Sequence, residues 1–303
     1  MKILLATKKS FSPPAVLEIQ RVIESHGLSF SSLIAYRDRE ELKEAMHDIT
    51  GLIVRCDSID KELLAAAPNL KIIVRAGVSC QNIDIPAATK RGVVVMNTPG
   101  ENANAVAELM LGLLIMSMRN FYSNRSGYEL ATQKIGIHAY GHVGKRFAAL
   151  AKGLNMEVYA YDPNCSASSM EELGVTRVDS LEELYRTCTI ISLHLPINKD
   201  TDKSVNYSLL RLMPANATLL NSAGKEIIDE KGLLRILKER EDFSYLTDIK
   251  PDNHYKLLSD YPTQYFATPV KIGAQTTEAN TSVGIAAAHQ LVGFLKEGKE
   301  LLN

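Results

Sequence analysis

A glycine-spaced turn between a strand and a helix is the stretch of this chain best suited to chemistry. Residues 134–138 read as a short strand and run into Ala139-Tyr140-Gly141-His142-Val143-Gly144. A helical run follows, with Phe147, Leu150, Ala151 and Leu154 on one face. Gly153 lets that helix end, residues 157–161 read as a second strand, and Asp162 stands at its tip. Together these make a βαβ unit with a dinucleotide fingerprint, except that alanine holds the first of its three glycine positions. Gly141 is where backbone must approach a pyrophosphate without a Cβ, and Gly144 lets the helix pack close to the sheet. Tyr140, His142 and Val143 bring the amides of the helix start toward the phosphates, helped by the helix dipole. Ala139 suits the first-turn position provided its φ stays negative. Asp162, 21 positions after Gly141, is expected to accept hydrogen bonds from ribose hydroxyls. Its charge repels a 2′-phosphate, which favours NAD over NADP.

A turn of this kind needs a parallel sheet to hold it, and the chain carries the pattern for two. Apolar runs at 2–6, 30–35, 51–55, 71–75 and 93–96 alternate with helical patterns at 14–26, 39–46, 61–66 and 86–91. After the turn Asn97-Thr98-Pro99-Gly100 comes a long helix, 102–118, apolar nearly all round and so expected to be buried. The second alternation starts at Lys134, with later strands at 190–193, 218–221, 243–248 and 265–268. A closing helix over 276–297 is expected to return to the first unit. The fold class is therefore α/β, with two doubly wound, Rossmann-like parallel sheets. One domain is discontinuous, 1–98 with 275–303, and the other is 99–274.

The 303 residues suffice for two domains, and a formal charge of −1 gives no basic field for nucleic acid. The N-terminus does not resemble a signal peptide, and the apolar run at 109–118 is too short to span a bilayer. The four cysteines lack metal-ligand spacing. A cytoplasmic location, with no membrane partner and no bound metal, is the expectation.

Several further motifs, taken in order, resemble those of the NAD-dependent D-2-hydroxyacid dehydrogenases. They are Arg75-Ala76-Gly77-Val78 with Asn82-Ile83-Asp84, Met96-Asn97-Thr98-Pro99-Gly100, and Ala105-Val106-Ala107-Glu108. Ser192-Leu193-His194-Leu195-Pro196, Leu220-Asn221-Ser222-Ala223, Asp229-Glu230, Thr268-Pro269 and Ile272-Gly273-Ala274 follow. Arg55 with Asp57 makes the chain most similar to the phosphoglycerate dehydrogenase branch, and a short form without the regulatory domain of larger members is the expectation. The resemblance implies reversible hydride transfer between C2 of a 2-hydroxy acid and the nicotinamide. It also implies 3-phosphoglycerate as substrate, a place in serine biosynthesis, and a homodimer built through the nucleotide domain. By the same resemblance, His194, Pro196, Ser222, Ala223, Asp248 and Gly273 join the fingerprint in binding NAD. Arg55, Arg75, Asn97 and the amides of Ala76, Gly77 and Val78 are expected to hold the substrate's anionic groups.

The family's catalytic arginine, glutamate and histidine are all missing from their expected places. Lys271 stands beside Ile272 where histidine is normal, Asn253 takes the glutamate position, and Gly224 takes that of the arginine. A lysine can carry the same proton where burial or nearby cations favour its neutral amine, and Arg55 and Arg75 are expected to act so. Loss of the glutamate fits such a lysine, which a carboxylate partner would keep charged. Lys225 is a candidate to replace the arginine, although on a strand end its side chain should point away from that of residue 224. Two alternatives follow from this pattern. One is a catalytically weak relative that binds NAD as a sensor or scaffold, and the other is a dehydrogenase of a different acid such as glycerate.

Overall fold

In the computed structural model, which describes residues 1–8 and 11–298, the apolar runs become two parallel sheets. The first unit comprises Met1–Asn102 together with the chain from Gln275 onward. Its strands are β1 (Lys2–Thr7), β2 (Ser29–Ile34), β3 (Gly51–Val54), β4 (Ile72–Arg75) and β5 (Val94–Asn97), in the order β2-β1-β3-β4-β5. Between them run α1 (Pro13–Ser25), α2 (Arg39–Ala45), α3 (Lys61–Ala66) and α4 (Ile85–Lys90). Each helix start is fixed by a side chain that accepts from its first free amides: Ser12, Asp38, Asp60 and Asp84.

Alternate residues of each central strand serve opposite cores. Ile3, Leu5, Ile53, Ile72 and Val74 pack with α1 and the last helix, whereas Leu4, Leu52, Val54 and Ile73 pack over α2, α3 and α4. Helices on both faces are why these strands are apolar throughout and do not alternate. The last helix, Thr277–Glu297, does return to this unit, where it lies on α1. A Cβ on Gly284 would come within 2.7 Å of Ile19 Cδ1, so the close approach of the two helices depends on that glycine.

The second unit, Ala103–Ala274, opens with α5 (Ala103–Met118). It continues through β6 (Lys134–His138), α6 (His142–Gly153), β7 (Glu157–Tyr161), α7 (Ala167–Glu171), β8 (Thr176–Arg177), α8 (Leu181–Thr187) and β9 (Ile190–Leu193). Then come α9 (Tyr207–Leu210), β10 (Thr218–Asn221), α10 (Glu230–Glu239), β11 (Ser244–Thr247), α11 (His254–Asp260) and β12 (Tyr265–Ala267). The sheet order is β12-β11-β10-β9-β6-β7-β8, all parallel, and the Thr277–Glu297 helix is α12. The strand β8 has no counterpart in the sequence reading because it is two exposed residues with no apolar signal. Burial of α5 is one-sided: Met110, Leu113, Leu114 and Met118 enter the core, while Ile115 is exposed. No described helix is long and apolar enough to cross a membrane.

Candidate active site

The fingerprint turn lies at the carboxyl ends of β6 and β7. Gly141 is the N-cap of α6, no side chain bonds the first amides of that helix, and a Cβ at 141 would meet nothing within 4 Å. Free amides beside open space are what a pyrophosphate requires. Gly144 is constrained differently, since a Cβ there would lie 2.3 Å from the carbonyl oxygen of Ala139. Gly144→Ala is therefore expected to push α6 off the turn, cost about 1–3 kcal/mol of stability, and weaken NADH binding. Thermal unfolding and a fluorescence titration with NADH measure the two effects.

Ala139 departs from expectation. Its φ is +79°, in the left-handed region, where an L-residue costs about 1–2 kcal/mol. The turn imposes this conformation, because the Ala139 amide donates to Tyr161 O at 2.9 Å and its carbonyl faces Gly144. Asp162 is tied on both sides: Oδ2 accepts from the Tyr140 amide and Oδ1 from the Asn164 amide, each at 2.8 Å. Each oxygen keeps a lone pair for a ribose hydroxyl.

Behind the turn lie two histidines. His194 closes the tips of β9 and β10: its Nδ1 is 2.8 Å from Ser222 Oγ and its Nε2 2.9 Å from Ser192 Oγ. Ser222 sends its own proton to Leu193 O, so Nδ1 carries the hydrogen and Nε2 accepts. Both nitrogens are thus committed, and the ring ties Ser192 to Ser222. His138, buried with Nδ1 at 3.1 Å from Tyr185 Oη, is pushed down to about 4 by desolvation, against the pull of the Asp162 charge. Burial likewise lowers His194.

The consequence for stability has a definite sign. Above the ordinary histidine pKa of about 6.5, folded and unfolded chains are both neutral at His138 and its full contribution is present. As pH falls from there toward about 4, the unfolded chain takes up a proton that the folded chain refuses. That loses up to roughly 3 kcal/mol by pH 4, at 1.36 kcal/mol for each unit of displacement. Urea unfolding at neutral pH and near pH 4.5 should show the drop, and His138→Gln should remove its share and leave the part that the buried His194 contributes.

The substituted catalytic positions lie on loops after β10, β11 and β12. Lys225 is in a 3-10 turn (Lys225–Ile227), not on a strand end, and its ammonium is paired with Asp252. That hydrogen bond raises its pKa and fixes it as a cation. Asn253 is anchored by Glu230, whose Oε2 accepts from its amide at 3.1 Å and its Nδ2 at 2.7 Å. Glu230 Oε1 holds the Asp252 amide at 2.6 Å, so one carboxylate orders the whole loop. Lys271 is exposed on the segment after β12. Asp248, buried at the end of β11, is raised by desolvation and drawn back by the charge of Lys271. Asp248 Oδ2 accepts from the Gly273 amide at 3.0 Å, and a Cβ on Gly273 would meet that oxygen at 2.5 Å. Asp248 Oδ1 is buried and has no partner among the described residues. It is an open acceptor suited to an amide donor such as a nicotinamide carboxamide.

In the first unit, Arg55 is buried, lies 4.9 Å over the ring of Phe11, and donates from Nη2 to Asn280. Desolvation lowers its pKa, with Arg75 adding in the same direction. Arg75 Nε donates to Arg55 O at 2.9 Å, and its guanidinium covers the α-carbon of Gly77, where a Cβ would clash. The anion turn differs from the sequence reading. The Ala76 amide is taken by Val54 O at 2.8 Å and the Gly77 amide by Thr98 Oγ1 at 2.7 Å. Of the three amides only that of Val78 lacks a partner among the described residues, and its carbonyl is held by Asn97 Nδ2. Sequence alone assigns no site role to Asp252 or His138, and Glu230 enters only through the Asp229-Glu230 motif.

Comparison with known proteins agrees with this geometry. Residues 115–264 match the family described as D-isomer specific 2-hydroxyacid dehydrogenase, NAD binding domain. An NAD+-bound 3-phosphoglycerate dehydrogenase of Entamoeba histolytica is 41% identical with a TM-score of 0.86, covering 99% of this chain and 96% of that one. A D-3-phosphoglycerate dehydrogenase of Methanocaldococcus jannaschii is 32% identical over 275 residues, 85% of this chain, which spans only 52% of that relative. A glyoxylate reductase of Thermococcus litoralis is 31% identical over 85% of this chain and 84% of the relative. The open helix start, the pinned Asp162, the unpartnered Asp248 oxygen and these relatives converge: the chain belongs to the NAD-dependent D-2-hydroxyacid dehydrogenase family.

Proposed function

We propose that this protein oxidises 3-phosphoglycerate to 3-phosphohydroxypyruvate with NAD+, the reaction being reversible. The observation that carries the choice of substrate is the pairing of Arg55 with Arg75 beside the free Val78 amide. Two guanidinium groups suit an acid that bears both a carboxylate and a phosphate. The 41% identical phosphoglycerate dehydrogenase supports the same choice. Relatives that reduce glyoxylate or hydroxypyruvate, at about 30% identity, leave the smaller acids as the competing substrates.

When bound, NAD+ supplies the hydride acceptor. The first unit's part is to grip the acid through Arg55, Arg75 and the Val78 amide; in the second unit, the Lys271 amine is the group to take the C2 hydroxyl proton. Asp248 would orient the carboxamide through Oδ1, and Asp162 the adenosine ribose. Homodimerisation through the nucleotide unit is part of the same proposal, and sedimentation over graded concentrations tests it.

The deciding experiment compares kcat/KM for 3-phosphoglycerate, glycerate and lactate, and for glyoxylate and hydroxypyruvate in reverse. Removing a charge-assisted bond with Arg55→Leu should reduce kcat/KM for the phosphorylated acid by about 10- to 150-fold, the equivalent of 1.5–3 kcal/mol. Equal turnover of glycerate and 3-phosphoglycerate would rule out the phosphate reading. A sensor or scaffold is the second reading, and the absence of an arginine at 224 favours it. Tight NAD binding without turnover of any acid would establish it.

A further inference from the structure

Arg55 is anchored by residues from both ends of the chain. Its Cζ lies 4.9 Å over the ring of Phe11, and its Nη2 donates to Asn280 Oδ1. Phe11 is buried just before α1, and Asn280 is half-buried at the start of α12. All three residues belong to the first unit. A guanidinium can only donate, so the Asn280 amide must turn its oxygen toward Arg55. One N–H on a neutral oxygen and one face on a ring fix the plane of the fork. That plane decides whether an oxyanion meets two parallel N–H groups or one.

A glycine connects the two anchors. Asn280 and Gly284 are four residues apart and so share one face of α12. A Cβ at 284 would stand 3.1 Å from Phe11 Cε1 and 2.7 Å from Ile19 Cδ1. Ile19 and Phe11 are both buried, so neither can swing into solvent to make room. The missing side chain of Gly284 is thus the seat of the ring that carries Arg55. Asn280 is fixed by its own helix: its amide donates to Thr276 O at 3.1 Å, and Thr276 Oγ1 caps the helix through the Ala279 amide at 3.1 Å. One element therefore sets both contacts of the guanidinium.

We infer that α12 is a positioning element for the substrate: Asn280 directly, and Gly284 through Phe11, hold the Arg55 guanidinium in the orientation that receives the acid. This rests on the proposed substrate role of Arg55. The neutrality of Asn280 is part of the device. Burial, with the charge of Arg75, already presses against the Arg55 cation. An aspartate at 280 would relieve that pressure from within the protein and compete with the substrate for the same fork.

Calorimetric titration of the NADH-loaded protein with 3-phosphoglycerate tests this without recourse to turnover. Asn280→Ala should weaken binding of the acid by about three- to tenfold, the loss of one hydrogen bond. Gly284→Ala should weaken it by a similar factor although it touches no ligand, and Asn280→Asp should cost at least about tenfold. NADH affinity should be unchanged in all three. The readout that a merely structural role would not move is coupling to Arg55. In an Arg55→Leu background, Asn280→Ala and Gly284→Ala should have no further effect on binding of the acid. Losses that persist in that background would make both residues structural and overturn the inference. So would Asn280→Ala and Asn280→Asp binding the acid as the native protein does while Arg55→Leu alone weakens it. If Gly284→Ala does not fold, the two Asn280 variants decide. If no acid binds the native protein, or Arg55→Leu leaves binding unchanged, the substrate reading fails and this inference falls with it.

Discussion

Replacing Lys271 with alanine is expected to lower kcat by about 10²- to 10⁴-fold, the usual contribution of a positioned acid–base group. Binding of NAD should persist, because the side chain is exposed and its loss opens no cavity. The buried Asp248 complicates the comparison, since removing the lysine charge lets desolvation raise that carboxyl further. Asp248→Asn in both backgrounds separates the two effects, because an amide cannot titrate. Lys271→His supplies a base that is neutral at lower pH, so it should recover part of the rate with the profile moved toward neutrality. Initial rates of NADH formation across pH report all of this. An unchanged kcat at saturating substrate would remove the lysine from the chemistry, and a change confined to KM would recast it as a binding cation.

What could be read from the sequence and what could not divide along a physical line. The strands at Gly51–Val54, Ile190–Leu193 and Thr218–Asn221 are short apolar runs buried on both faces, so composition alone marks them. The fingerprint at 139–144 was legible because each glycine answers to a local steric demand. Ala139 departs from the negative φ expected of an alanine because its φ is decided by a hydrogen bond to Tyr161 and by contact with Gly144. The amides of Ala76 and Gly77 are taken by Val54 O and Thr98 Oγ1, acceptors about 20 residues away that spacing cannot reveal. The same holds for Glu230, which holds a loop 22 residues further on and is indistinguishable in sequence from a surface acid at a helix start.

Installing an arginine at position 224 is expected to raise kcat/KM by about 10²- to 10³-fold, the size of a preorganised electrostatic contact to a reacting oxygen. The backbone is ready for it. Gly224 has φ −145° and ψ 158°, an extended conformation open to any residue. Its turn is held by Asn221, which donates from Nδ2 to Gly224 O at 3.0 Å and accepts the Ala223 amide at 2.9 Å. The obstacles to a Cβ are movable ends: Ile197 Cδ1 at 2.5 Å, on a side chain 49% exposed, and Glu226 Oε2 at 2.6 Å. Glu226 is the larger hazard, because its carboxylate could capture the new guanidinium. Gly224→Arg should therefore be made alone and with Glu226→Gln, and the pair should gain at least as much as the single change. Lys225 does not already fill this role, since its ammonium is spent on Asp252. Steady-state kinetics with 3-phosphoglycerate, and thermal unfolding to show that the turn survives, measure the outcome. A folded double variant with no gain would mean that the glycine is not what limits turnover.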